Sequence, residues 1–231
     1  MVSVRDALGR EVVIAHPPRR VVSLVPSETE SVAAIAGLEV LVGRTDYCEE
    51  PRGTIERVPS VGGTKKLDVE RVLALAPDLV LANQEENGRA DVEALIARGA
   101  PVYVSFPHTA REALAHLAVT ARLLHVDAAP TLGACEAALR RGEARTPAVR
   151  VAVPIWKGPW MSFDGRTFAS DVLRLAGAIN VFDDRARRYP LAADLGTAPA
   201  RETDRDTRYP RFALEELVAR AGAVPRSAAR G

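Results

Sequence analysis

Short apolar runs alternate with helical segments along the first half of the chain, and this alternation constrains the fold more than any other feature. The runs at 21–25 (VVSLV) and 79–82 (LVLA) are apolar at almost every position, which is typical of strands covered on both faces. Helical segments follow after short connections. Strand–helix–strand alternation of this kind predicts a mostly parallel sheet with helices on both faces.

The other elements of this half follow from the same pattern and from turn residues. A hairpin is expected at the start, with strands at 2–4 and 12–14 around Gly9. Asp68 is placed to cap one helix and Gly37 to end another. Further strands and helices are predicted at 20–25, 28–37, 41–43, 68–75, 78–83, 89–98, 102–106 and 109–124.

Two helices in succession interrupt the alternation and indicate a boundary between lobes. The second of them, DAAPTLGACEAALRRGEA, follows directly on the helix that ends near Leu124. We therefore predict an N-terminal α/β lobe at 1–126, a long linking helix at 127–146 and a C-terminal lobe at 147–231. The expected fold is two Rossmann-like lobes with mostly parallel sheets.

The pattern is weaker in the second lobe. A strand is expected within VRVAVPIW and a helix at 167–176. Residues 183–211 are rich in Asp, Arg and Pro and are expected to form a long, solvated, mixed-charge loop. FALEELVAR predicts a short amphipathic helix, and the final AGAVPRSAARG carries no strand pattern.

Composition and motifs argue against several classes of protein. The net charge of +1 gives no electrostatic basis for binding nucleic acid. The GGTKK segment is not a phosphate-binding loop, no GxGxxG or GxSxG is present, and the four histidines form no HExxH. Ser23 lies inside a strand, and Cys48 and Cys135 fit no metal-ligand spacing. We therefore expect a protein that is not an enzyme and has no catalytic metal or cofactor.

Polar or aromatic clusters follow four predicted strands, at the edge where open α/β sheets bind ligands. The clusters are Pro26–Glu28, Arg44–Tyr47, Asn83–Asn87 and Phe106–His108. Each cluster alone also fits an ordinary turn with a helix cap. Ser27 in particular fits an N-cap with Glu30 in a capping box, a role compatible with ligand contact.

Aromatic residues are scarce, yet three lie within PIWKGPWMSF. They are Trp156, Trp160 and Phe163, and the intervening Pro and Gly residues exclude a regular helix. One interpretation is an aromatic wall for a planar or large apolar ligand. The other is a small satellite core.

Several segments in order resemble the helical-backbone (class III) periplasmic binding proteins. The segments are RVVSLVPSETE, LVGRTDYCEEP, VPSVGGTKKLDVERVLALAPDLVLANQEEN, PVYVSFP and PIWKGPWMSFDGRTFASDVLRLAGAINVF. The likeness covers residues 2–220 and is greatest to the cobalamin-binding branch, which serves ABC importers. It implies a monomeric receptor that holds cobalamin or a related metal chelate in the cleft between two lobes and delivers it to a membrane permease.

The resemblance also implies which residues act. Two glutamates on the two lobes, Glu70 and Glu215, are implied to dock on the permease, although both also fit solvated helix positions. The ligand contacts expected from the resemblance and the clusters together are Ser27, Glu28, Tyr47, Thr64, Lys65, Glu85, Asn87, Phe106, Trp156, Trp160 and Phe163.

Three departures from the family pattern qualify these expectations. The start, MVSVRDALGREVV, has no signal-peptide pattern, so the resemblance implies a periplasmic or cell-surface protein whereas a complete start implies a cytoplasmic one. Thr64 stands where the cobalamin receptor carries a cleft tryptophan. The second lobe is expected to be incomplete after LEELVAR. A cytoplasmic sensor or storage protein and a ferric-siderophore or haem receptor are therefore alternatives.

Overall fold

The structure, a computed structural model, describes residues 1–222 of the chain. The chain divides into two compact units. The first contains Met1–Pro107 and Ala113–Cys135, and the second contains His108–Glu112 and the chain from Glu136 onward. The boundary thus falls inside the helix Ala129–Glu143, which lies in the segment predicted as the linking helix.

The first unit contains the strands and helices of the N-terminal half. Short 3-10 turns occur at Leu38–Val40 and Ile55–Arg57. Up to the boundary helix, the elements are β1 Val2–Arg5, β2 Glu11–Ile14, β3 Val21–Ser23, α1 Pro26–Ala36, β4 Leu41–Gly43, β5 Gly62–Gly63, β6 Lys66–Leu67, α2 Val69–Ala74, β7 Leu79–Asn83, α3 Arg89–Ala97, β8 Val102–Ser105, α4 Ala110–Leu124 and α5 Ala129–Glu143.

A four-stranded parallel sheet in the order β4-β3-β7-β8 forms the centre of this unit. Val21 and Val22 in β3 and Leu79 and Val80 in β7 are fully buried. They divide between two apolar clusters, as expected for a sheet that is covered on both faces. The predicted α/β class with a mostly parallel sheet is confirmed.

The N-terminal hairpin is confirmed as an antiparallel pair of β1 and β2. Its turn lies along β8, because the Ala7 amide donates to the Val104 carbonyl at 2.9 Å and the Arg10 guanidinium donates to the Val102 carbonyl at 2.9 Å. The hairpin therefore satisfies backbone groups on the outer edge of β8, which would otherwise be open to further strand pairing.

Helix ends follow local sequence with one exception. Asp68 caps α2 by accepting from the Arg71 amide at 3.0 Å, and Gly37 ends α1 with a φ of 88°. The predicted capping box at Ser27 is wrong. Helix α1 begins at Pro26, Val25 is its N-cap residue, and no side chain in the described part of the chain caps it. Proline favours the first helical position, so the helix starts before Ser27.

The second unit has two short strand pairs. A parallel pair joins β9 (Val149–Val151) to β11 (Ala178–Asn180), and an antiparallel pair joins β10 (Trp160–Met161) to β12 (Arg211–Phe212). Its core contains Val181, Phe182 and Phe212, with the two phenylalanine rings 4.5 Å apart. Its helices are α6 Phe168–Leu175, α7 Leu191–Asp194 and α8 Leu214–Gly222.

The segment expected to be a solvated loop, 183–211, instead contains α7 and a buried charge network. Asp194 is 1% exposed and its carboxylate accepts from Arg185 Nη1 at 2.9 Å and from the Arg211 amide at 2.7 Å. Arg185 is also buried, and its Nε donates to Glu216 in α8 at 2.9 Å. Composition indicated exposure, but these charges are buried because they satisfy one another.

The end of the chain is described as far as α8, which corresponds to the short helix predicted in FALEELVAR. Residues 223–231, for which no strand pattern was predicted, lie outside the described residues. Cys48 is buried and Cys135 is exposed, and both are free cysteines.

Candidate functional site

Asn87 links the strand-end segments at the carboxyl edge of the sheet in the first unit. Its buried amide donates to the Leu24 carbonyl at 2.9 Å and to the Thr64 carbonyl at 3.2 Å. Its Oδ1 accepts from the Asn83 amide at 2.8 Å. One side chain thus holds the segments that follow β3, β5 and β7 in contact with each other. Sequence alone indicated the position of Asn87 but not these partners.

Tyr47, Thr64, Lys65 and Glu85 are brought to the same edge. Lys65 donates to the Glu85 carbonyl, and Thr64 is buried beside it in the chain. A ring carbon of Tyr47 lies 3.5 Å from the position that a Cβ atom would occupy at Gly63. Since the Tyr47 side chain is largely exposed, its phenol faces solvent over the Gly63–Lys65 turn.

Ser27 and Phe106 occupy the ends of β3 and β8 at this edge. Ser27 is exposed in the first turn of α1. Phe106 is half-buried and follows Ser105, whose carbonyl accepts from the Gln84 amide at 2.9 Å. The loop after β7 therefore lies beside the end of β8.

Glu28 is directed into the unit. It is 4% exposed, and its Oε1 accepts from Ser105 Oγ at 2.9 Å and from His116 Nε2 at 2.6 Å. The Tyr103 ring stacks on the His116 ring with an interplanar angle of 2°. Burial, together with the charges of Glu28 and Asp6, raises the pKa of Tyr103 to about 12. Sequence analysis placed Glu28 among the ligand contacts and did not identify Ser105, Tyr103 or His116 as its neighbours.

A cavity of about 510 Å³ lies in the first unit next to Asn87. Val92, Val104 and the hairpin residue Leu8 supply apolar walls, and Asn83 and Gln84 supply amides. The ion pair between Arg89 and Glu93, with Nε and Oε1 2.6 Å apart, also lines it. Leu8 is more than 70 residues from the other lining residues in sequence, so no local pattern could have indicated this cavity.

The aromatic segment of the second unit forms a tight reversal. The Met161 amide donates to the Trp156 carbonyl at 3.0 Å, and the Ile155 amide donates to the Met161 carbonyl at 2.9 Å. Trp156 is 64% exposed, whereas Trp160 packs against the core containing Phe182. Phe163 is 3% exposed. The residues of this segment thus differ: Trp156 is exposed, Trp160 packs on the small core, and Phe163 is buried.

A second cavity, of about 310 Å³, lies in the second unit beside α6. The buried Ser170 hydroxyl donates to Asp183 at 3.2 Å and accepts from Asn180 at 3.2 Å. Asp171 and Arg174, whose side chains are 2.7 Å apart, complete the polar side of the cavity. Sequence analysis did not select any of these residues.

The two glutamates implied to dock on a permease are both exposed. Glu70 in α2 pairs with Arg98, with Nη1 and Oε1 2.6 Å apart, and the hydrogen bond from Arg98 lowers the pKa of Glu70. Glu215 lies on the first turn of α8. Both carboxylates are therefore accessible to a partner. The charge of Glu70 is already paired with Arg98 of the same unit.

Two negative findings concern residues 1–222. None of their helices has the length and apolar character that crossing a membrane requires. Within the same residues, His, Cys, Asp and Glu side chains form no group of three or more that could hold a metal ion.

Polar groups gathered at the carboxyl edge of a parallel sheet lie where open α/β proteins bind their ligands. The chain belongs to the periplasmic binding protein family, whose model matches residues 21–204. The predicted family resemblance is confirmed. This is a family of binding proteins.

The chain is 31% identical over 192 residues to the vitamin B12-binding proteins of Yersinia pestis and Yersinia pseudotuberculosis. The match covers 76% of this chain and 64% of theirs, so the chain spans less than two thirds of the length of these relatives.

Solved structures share the fold at lower identity. The periplasmic vitamin B12 binding protein of Vibrio cholerae matches with a TM-score of 0.64 and 22% identity over 88% of this chain and 74% of that one. CeuE of Helicobacter pylori with Ni(II) bound matches with a TM-score of 0.73 and 19% identity, over 95% of this chain and 69% of that one. A periplasmic heme binding protein of Pseudomonas aeruginosa matches with a TM-score of 0.63 and 24% identity, over 88% of this chain and 69% of that one.

Proposed function

We propose that this protein is the substrate-binding receptor of an ABC importer and binds cobalamin or a related metal chelate. The observation that carries the proposal is the set of strand ends joined by Asn87 at one edge of the sheet. Family membership and the 31% identity to vitamin B12-binding proteins support the choice of ligand. The protein acts by binding and release, without catalysis.

The ligand contacts in the first unit are side chains that reach solvent at this edge. Ser27, Tyr47 and Phe106 offer a hydroxyl and two aromatic rings, and the Lys65 ammonium, which donates to the Glu85 backbone carbonyl, offers charge. Thr64 and Asn87 are buried, and they support the turn that presents these groups. A large chelate with an apolar face and polar edges suits such a mixture of aromatic and polar groups.

Trp156 is the proposed ligand contact of the second unit. Its ring is the most exposed large aromatic surface of PIWKGPWMSF, and Lys157 lies beside it in the same reversal. An exposed tryptophan loses water-accessible apolar area when it contacts a ligand, which favours binding by about 25 cal/mol per Å². Trp160 and Phe163 are proposed to support this reversal from the interior of the unit.

Equilibrium dialysis tests the proposal directly. The protein is dialysed against cyanocobalamin, hemin and a ferric siderophore in separate experiments, and bound ligand is measured by its visible absorbance. Saturable binding of cyanocobalamin at micromolar concentration is the expected result. Binding of hemin or the siderophore alone would reassign the ligand, and no saturable binding of any of the three would overturn the proposal.

We also propose the setting in which the receptor acts. It works as a monomer in the periplasm or at the cell surface, where Glu70 and Glu215 dock on the importer permease. The exposure of both carboxylates supports this role. Light scattering and fractionation of the host test the monomer and the location, and loss of permease binding on replacing both glutamates tests the docking.

A further inference from the structure

Glu28 has a position that the proposed ligand contacts do not explain. It follows the exposed Ser27 in the first turn of α1, yet its carboxylate is directed away from solvent. Oε1 accepts two hydrogen bonds, from Ser105 and His116, whereas Oε2 is enclosed and has no hydrogen-bond partner among the described residues. Burying a carboxylate is costly when one of its oxygens has no hydrogen bond, so the donors to the other oxygen are needed to keep the side chain buried.

These bonds connect three elements that are distant in sequence. Ser105 ends β8, 77 residues after Glu28, and His116 lies in α4, 88 residues after it. The turn has no side-chain cap within the described residues, so local sequence does not anchor it. Thr29 holds the following position to β3, with Oγ1 2.8 Å from Ser23 Oγ. Glu28 supplies the link from this turn to β8 and α4.

The surroundings hold His116 in the orientation that lets it donate. Its ring stacks on Tyr103, with centroids 5.6 Å apart, and Thr120 Oγ1 lies 3.5 Å from Nε2. Tyr103 keeps its hydroxyl proton at neutral pH, as any phenol does, and burial with the Glu28 and Asp6 charges raises its pKa further, to about 12. A neutral phenol therefore packs against the imidazole while Nε2 faces the carboxylate.

We propose that His116 is a positioning residue for ligand binding: through Glu28 it fixes the turn that carries Ser27 against the end of β8 that carries Phe106. It has no direct contact with ligand in this role. The effect on affinity rests on the proposed function, whereas the effect on the turn itself does not.

Two substitutions separate the hydrogen bond from packing. His116→Phe keeps a ring against Tyr103 but removes the donor, and His116→Gln keeps an N–H donor without the ring. Hydrogen exchange at the Thr29 amide, which donates to the Val25 carbonyl at 3.1 Å, reports on the turn without any ligand. We expect exchange to rise about 10-fold or more in H116F, the scale of a lost hydrogen bond to a charged group, and to stay within about threefold of wild type in H116Q.

Affinity for cyanocobalamin, measured by dialysis, is the second readout. H116F should weaken binding about 5-fold or more, and H116Q should restore most of it. The replacement Ala115→Gln, at an exposed position of α4, is the matched control and should change neither readout.

The outcomes are distinguishable. Equal behaviour of H116F and H116Q in exchange would overturn the proposal, because packing alone would then explain the site. If H116F does not fold, Ser105→Ala removes the other donor to Oε1 and must speed exchange at the Thr29 amide, and unchanged exchange would again overturn the proposal. If wild type binds none of the three ligands, the proposed function fails, while the exchange comparison still decides the role of His116.

Discussion

Arg185 and Asp194 form a buried ion pair in the second unit, with Nη1 and Oδ1 2.9 Å apart. The same carboxylate accepts from the Arg188 amide at 2.9 Å and the Arg211 amide at 2.7 Å. Burial opposes the charge on Arg185, but the hydrogen bonds that Arg185 donates to Glu216 and Asp194 outweigh it and raise the Arg185 pKa. Asp194 therefore organises a stretch of chain that has little regular secondary structure.

The first prediction concerns the stability of that stretch. Asp194→Ala removes one of the two carboxylates that pair with the buried Arg185, together with the acceptor of the Arg188 and Arg211 amides, and should lower the free energy of unfolding by about 3–5 kcal/mol. Urea unfolding followed by tryptophan fluorescence is a suitable measurement, because Trp156 and Trp160 both lie in the second unit. Arg140→Ala, which breaks an exposed ion pair in α5, is the control and should have little effect. A loss below about 1 kcal/mol for D194A would contradict the structural role given to this pair.

The second prediction concerns Asn87 at the sheet edge. Asn87→Ala removes three hydrogen bonds and leaves the Leu24 carbonyl in the interior, so the free energy of unfolding should fall by about 1–3 kcal/mol. Ligand affinity should fall as well, since the turn with Thr64 and Lys65 loses its support. Glu39→Ala, at an exposed position that precedes β4, is the control. Unchanged affinity in a folded N87A variant would separate this edge from the ligand site.

The third prediction separates the two tryptophans. Trp156→Ala should weaken ligand binding by about 1–3 kcal/mol with the unfolding midpoint unchanged, because this ring is exposed. Trp160→Ala should lower stability by a similar amount, because this ring packs on the Phe182 cluster. Dialysis and circular dichroism melts give the two quantities. The assignment is wrong if the effects on affinity and stability are exchanged between the two variants.

The fourth prediction uses the raised pKa of Tyr103. Between pH 10 and about 12 the folded protein keeps a proton on Tyr103 that the unfolded chain releases. Its contribution to stability is therefore fully present below pH 10 and declines as pH rises through this range, by on the order of 2 kcal/mol in total. Tyrosinate absorbance at 295 nm should show a late step that Tyr103→Phe removes and Tyr47→Phe leaves in place. A titration of wild type without a step near pH 12 would contradict the burial of this phenol.

The fifth prediction concerns delivery to the importer. Glu70→Ala and Glu215→Ala should leave the dissociation constant for ligand unchanged and reduce uptake, most strongly in combination. Uptake by cells that depend on imported cobalamin provides the measurement, with Glu39→Ala as the control at another exposed position. Weakened ligand binding in either variant would argue against a role limited to docking.

Most of the residues at the carboxyl edge of the sheet could be predicted from sequence, because the end of a strand is marked by a local pattern. The apolar runs identify β3, β4, β7 and β8, and in a parallel sheet their carboxyl ends meet at one edge. Tyr47 and Asn87 were accordingly predicted to lie there, whereas Lys65 was named only with the family resemblance. The cavity beside Leu8 could not be predicted in this way, because it depends on how the hairpin contacts β8.

The sequence by itself determined the α/β class, the parallel sheet and the helix ends at Asp68 and Gly37, since apolar period and capping act over a few residues. Tertiary structure decided which way neighbouring side chains point. Ser27 and Glu28 are adjacent in a polar cluster, yet Ser27 is exposed and Glu28 is buried. That difference depends on Ser105 and His116, partners 77 and 88 residues away, and burying a carboxylate is favourable only where such donors meet it.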